Sequence, residues 1–141
     1  MFNLVFNEEV RLPMTLYFED LLSAGFPSPA QGEIGHSLNL HEYMVQHPAS
    51  TFFVRCGGDS MTQAGISPGD LLVIDRSLAP KSESIIVAVI NGEFTLKRLI
   101  YDQEKIILRP ENPKYQDRII GPEDQFEVWG VLSYCVKKML P

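Results

Sequence analysis

Only two of the 141 residues are cysteine and only three are histidine. Cys56 and Cys135 are too few for a disulfide framework, and in a reducing compartment they read as small buried hydrophobes. His36, His41 and His47 do not make a metal motif. His41 and His47 are six apart, off one helical face, and no cysteine or acid stands at zinc spacing. Long apolar runs are missing too: "IIVAVI" (85–90) falls far short of the roughly 20 residues that cross a bilayer. The opening "MFNLVFNEEV" carries acids where a secretory signal needs positive charge. The expectation is a cytoplasmic chain with no membrane span. Basic residues are outnumbered, 12 Lys and Arg against 18 Asp and Glu, and the net charge of −6 repels phosphate backbones. Direct nucleic-acid binding is therefore not expected, and no internal repeat suggests an array.

What is present is the composition of one soluble domain, 45% hydrophobic and 21% charged. Residues 1–39 lack a sustained period, and prolines 13, 27 and 29 interrupt them, so they read as an arm. A short helix is expected over 39–46, capped by Asn39 with Glu42 three residues on, with Leu40, Tyr43 and Met44 on one face. Residues 40–141 read as a compact, mainly antiparallel β domain. The strand-like runs are 51–56, 71–75, 84–90, 93–100, 104–109 and 126–136, rich in β-branched and aromatic residues. Gly130, inside the last run, predicts a bulge or bend.

"Asn91-Gly92" between two apolar runs predicts a two-residue type I′ hairpin. That register sets Ile90 opposite Glu93, Ala88 opposite Thr95 and Ile86 opposite Lys97. With Phe94, Leu96, Val87 and Val89 on the other face, both sides of the hairpin read as buried and Lys97 points into an apolar layer. Burial lowers a lysine pKa, and the adjacent Arg98 would push the same way if the fold brings its charge near. A neutral amine near Ser60, in "GGDSM" (57–61), would accept its hydroxyl proton and make a nucleophile. Taken singly, a serine in a Gly-rich turn is more often structural, and a lysine on an apolar strand face more often reaches solvent at a sheet edge. "GGDSMT" lacks the second glycine of a hydrolase elbow. A serine–histidine–acid triad would have to draw on His36, His41 or His47, and their spacing does not favour one.

"GDSM…GISPGDLLVID" followed by "NGEFTLKRL" resembles the self-cleaving serine proteases of the LexA/UmuD family. The likeness runs from "GFPSPA" (25–30) to "VWGVLSYCVKK". It implies a LexA-like, signal-peptidase-like β fold, with Ser60 as nucleophile and Lys97 as general base. The family's scissile bond falls at Ala24-Gly25 in "LLSAGFPSP", with Leu22 as the preceding apolar residue. With 24 residues before that bond, too few for a helix-turn-helix domain, the resemblance points to the polymerase-accessory branch and away from the repressors. It then implies that a RecA–single-stranded-DNA filament stimulates loss of residues 1–24. It also implies a homodimer that binds a UmuC-like error-prone DNA polymerase subunit in SOS mutagenesis, and no cofactor or metal. Two alternatives stay open: a non-cleaving polymerase-binding module of the same fold, and a processing protease acting in trans.

Overall fold

Runs of β-branched and aromatic residues need partners for their backbone groups, and after residue 50 nearly every such run finds one. The computed structural model describes residues 15–17 and 36–141. The chain divides into two units, Met1–Tyr43 and Met44–Pro141. In the first, β1 (Thr15–Tyr17) pairs antiparallel with β2 (His36–Leu38). The helix α1 covers Leu40–Met44, shorter than the expected 39–46. Its cap forms as expected: the Glu42 N–H donates to Asn39 Oδ1 at 3.1 Å, and Asn39 Nδ2 donates to Glu42 Oε2 at 2.9 Å. Leu40 and Tyr43 are exposed, because five residues give little more than one turn and cannot lay down an apolar stripe.

The second unit is one seven-stranded antiparallel sheet. Its strands are β3 (Thr51–Arg55), β4 (Leu71–Asp75), β5 (Ile85–Ile90), β6 (Glu93–Asp102), β7 (Lys105–Arg109), β8 (Arg118–Ile119) and β9 (Phe126–Val136). In space the order is β3-β4-β9-β5-β6-β7-β8. The last strand is thus inserted between β4 and β5. The β5–β6 hairpin has the predicted register, with Ile90 opposite Glu93, Ala88 opposite Thr95 and Ile86 opposite Lys97. Asn91 and Gly92 sit at φ 51° and 86°, as a type I′ turn requires.

Alternation along β5 splits the apolar residues between two clusters. Ile86, Ala88 and Ile90 pack with Leu99, Leu108 and Val131, while Ile85 and Val87 pack against Met61, Ile66, Leu72 and Ile74. Coverage on both faces explains why β5 is continuously apolar. The expectation that both faces of the hairpin are fully buried needs correction. Val87, Val89 and Leu96 are half-buried and Phe94 is 64% exposed, because this end of β6 borders an open cleft.

β9 is irregular at two places. Val87 pairs with Gly130 but Ala88 with Val128, leaving Trp129 as an extra residue, and Ser133 is skipped in the same way against β4. The bend expected at Gly130 is therefore present. A side chain there would put its Cβ 2.5 Å from Ile74 Cγ2, so the close approach of β4 requires glycine.

Candidate active site

Ser60 stands in the loop that joins β3 to β4. The neck of that loop is closed by backbone: Cys56 N–H donates to Asp70 O, and Gly69 N–H to Cys56 O, each at 2.8 Å. Asp70 is buried, accepts the Ser67 N–H at 2.8 Å and pairs with the Lys137 ammonium. Lys137 first, and the Ser67 N–H second, hold the Asp70 carboxyl below the ordinary carboxylate range. The two cysteines form no disulfide and are half-buried against the Met61 cluster, not fully buried as expected. Met61 is 2% exposed and forms part of that cluster while also lining the cleft. Burying the residue after Ser60 fixes where the hydroxyl emerges.

The structure brings Ser60 and Lys97 together. Lys97 Nζ lies 3.2 Å from Ser60 Oγ and donates to Thr95 Oγ1 at 2.6 Å. Thr95, two residues away on the same strand face, thus fixes the end of a long flexible side chain. Burial lowers the Lys97 pKa from its ordinary value. The condition for a contribution from Arg98 is not met. Its Nε turns to Glu111 Oε2 at 3.3 Å and its Nη1 to Glu83 O at 2.7 Å, so Glu111 offsets that charge. Desolvation alone accounts for the shift.

Both groups open onto a cleft of about 460 Å³ whose walls include Val54, Leu72, Val87, Phe94 and Tyr115. One wall is β3, which stands at the end of the strand order beside β4. A strand at the end of a sheet is where an extended peptide can add by backbone pairing. Among the described residues no histidine lines this cleft. His47 instead meets Asp75 Oδ2 through Nδ1 at 2.7 Å, which leaves the histidine triad without support. Among the described residues no group of three His, Cys, Asp or Glu is placed to hold a metal ion. No helix among them is long and apolar enough to cross a membrane. Ala24 and Gly25 lie outside the described residues.

Sequence reasoning missed the segment after β7, "PENPKY" (110–115). Its Tyr115 hydroxyl donates to Asp59 Oδ1 at 2.5 Å, and Asn112 Nδ2 donates to Asp59 O at 2.7 Å. These contacts join positions more than fifty residues apart, and no local pattern announces them. The only legible signal was the pair of prolines, Pro110 and Pro113, which stiffen a loop but do not say where it reaches.

The arrangement has the parts for nucleophilic chemistry. They are a hydroxyl beside an amine whose pKa is lowered by burial, a positioned side chain behind that amine, and a cleft bordered by an end strand of the sheet. The family model of Peptidase S24-like proteins matches residues 16–133. Protein MucA of Salmonella typhimurium is 45% identical over 121 residues, covering 85% of this chain and 82% of that protein. Protein ImpA of the same species is 40% identical over 121 residues, 86% of this chain and 82% of its own length. LexA repressor 1 of Geobacter sulfurreducens is 37% identical over 109 residues, 77% of this chain and 53% of the repressor. With most of its length matched, the chain belongs to the Peptidase S24-like family, the LexA/UmuD type.

Proposed function

We propose that this protein is a serine endopeptidase that cuts its own chain at Ala24-Gly25, with Ser60 as nucleophile and Lys97 as general base. The observation that carries the reading is the 3.2 Å approach of Lys97 Nζ to Ser60 Oγ in a cleft where burial lowers the lysine pKa. Neutral Lys97 takes the Ser60 proton and Oγ attacks the Ala24 carbonyl carbon. The resulting oxyanion is held by N–H groups of Ser60 and the Gly57–Asp59 turn. The Ala24–Gly25 C–N bond then breaks, and the Gly25 amine leaves with the proton that Lys97 carried. Water, deprotonated by Lys97, hydrolyses the ester on Ser60 and releases residues 1–24 as a carboxylic acid. Ala24 suits a small pocket, Gly25 leaves room for the nucleophile, and residues 1–39 serve as the arm that delivers the bond.

The same reading makes the remainder a homodimeric, cytoplasmic accessory subunit of an error-prone, UmuC-like polymerase in SOS mutagenesis. The likeness to MucA and ImpA over most of their length supports it. A RecA–single-stranded-DNA filament would speed cleavage by favouring the docked arm, each tenfold change in docked fraction needing about 1.4 kcal/mol of differential binding.

Intact mass spectrometry of the protein and its Ser60→Ala variant, with and without RecA filament from pH 7 to 10, tests this. The expected result is loss of residues 1–24 in the parent alone, accelerating with pH as Lys97 loses its proton and levelling off above its pKa. A rate that is flat across that range excludes Lys97 as base. A parent that stays whole in every condition, like Ser60→Ala, favours the inert polymerase-binding module.

A further inference from the structure

The segment 110–115 touches the nucleophile turn on both sides of Ser60. Glu111 N–H donates to Ser60 O at 2.7 Å, and Gln63 N–H donates to Glu111 O at 2.8 Å. Asn112 Nδ2 donates to Asp59 O at 2.7 Å and lies 3.4 Å from Thr62 Oγ1, while its Oδ1 accepts the Lys114 N–H at 2.9 Å. The amide is thus held from both ends, with its donor aimed at the turn. The Glu111 carboxylate reaches the other way, to Arg98 beside Lys97. One short segment therefore braces both the loop that carries Ser60 and the strand that carries Lys97.

The bond to Asp59 O has a specific consequence. That carbonyl belongs to the planar peptide whose other end is the Ser60 N–H, so fixing its direction fixes the opposite direction of the N–H. In the proteolytic reading, on which this inference rests, that N–H meets the developing oxyanion.

We propose that Asn112 is a positioning residue for the reaction. By holding the Asp59–Ser60 peptide plane it aims the oxyanion donor and the Ser60 hydroxyl, without touching the substrate or Lys97. Asn112→Asp is the sharpest variant, because it keeps the shape, removes the donor and sets a carboxylate against Asp59 O. Asn112→Ala removes the donor without adding charge.

The test uses the full chain. It follows loss of residues 1–24 by mass spectrometry from pH 7 to 10, Ser60 labelling by a fluorophosphonate probe, and thermal unfolding of each variant. Both variants are expected to cleave and label at least tenfold more slowly at every pH, with the midpoint of the pH profile unmoved and the fold retained at the assay temperature. Parental rates in both variants would overturn the role. A slow rate accompanied by an upward shift of the pH midpoint would overturn it too, because the damage would then lie in the burial of Lys97. A parent neither cut nor labelled would remove the proteolytic reading itself, and this inference with it. A parent cut normally beside unaffected Asn112 variants removes only the inference.

Discussion

Lys97 is half-buried, and among the described residues no opposite charge offsets the loss of hydration. A lysine kept that way costs stability to keep reactivity. Its folded pKa lies below the ordinary value, so the unfolded chain holds the proton more tightly, and folding improves as pH rises between the two values. Below the folded value the penalty is present in full. Lys97→Met keeps the apolar stem and removes the charge, but forfeits the hydrogen bond to Thr95, worth about 1 kcal/mol. The two effects oppose each other. The expected result at pH 7 is a urea midpoint equal to the parent's or above it, with self-cleavage abolished. A midpoint well below the parent's would mean that the ammonium is a stabilising feature of the fold. The sequence made this pair legible, because the "NG" turn fixes the register that brings Lys97 opposite Ile86. Thr95 as the group behind the amine was not legible, since threonine on a strand is ordinary until its hydroxyl is seen 2.6 Å from Nζ.

The elements divide by length and by the reach of their contacts. Strands of five or more residues in the second unit stood out in the sequence, because alternating or continuous apolar runs bounded by turn residues are local signals. β1 and β2, of three residues each, and β8, of two, carry too few positions to show a period. The β6–β7 turn also gave no signal. It places Gln103 at φ 58°, a conformation glycine or asparagine would have advertised. β9 shows what a single residue does for an element. Gly130 lets β4 approach so closely that an added Cβ would lie 2.5 Å from Ile74 Cγ2, and Ile74 is fully buried and unable to give way. Gly130→Ala is expected to cost about 1–3 kcal/mol through this overpacking. A fall in thermal midpoint shows it. Since Ile74 packs with Met61, the variant should also cleave more slowly at temperatures where it is still folded. An unchanged midpoint would mean that the bulge can shift to admit the methyl group.

At the scale of the whole molecule, the position of β9 between β4 and β5 was out of reach of sequence reasoning. Val131 pairs with both Asp75 and Ile86, contacts set by the packing of two apolar clusters and not by any neighbouring residue. The same holds for the buried end of β4. Asp75 is 5% exposed and gathers groups from two directions. The Ser77 hydroxyl and N–H donate to Oδ1 at 2.6 and 2.8 Å, Ser50 Oγ to the same oxygen at 3.3 Å, and His47 meets Oδ2 at 2.7 Å. These contacts tie the entry to the second unit, 47–50, onto the sheet. Burial alone would raise the carboxyl, but the Ser77 and His47 hydrogen bonds overcome it and hold the pKa at about 2. Because the folded value lies below the unfolded one, the stabilisation is complete above about pH 4 and is lost as pH falls toward 2. Urea midpoints at pH 7, 4, 3 and 2 should therefore decline steeply below pH 4 in the parent. Asp75→Asn should begin lower at pH 7, by about 1–3 kcal/mol for the unmatched donors, and decline less between pH 4 and 2. The remaining slope belongs to Asp59, Asp70 and Asp124, whose carboxyls are also held below their ordinary value. Parallel declines in parent and variant would place the acid sensitivity in those three and leave Asp75 only its role in the neutral fold.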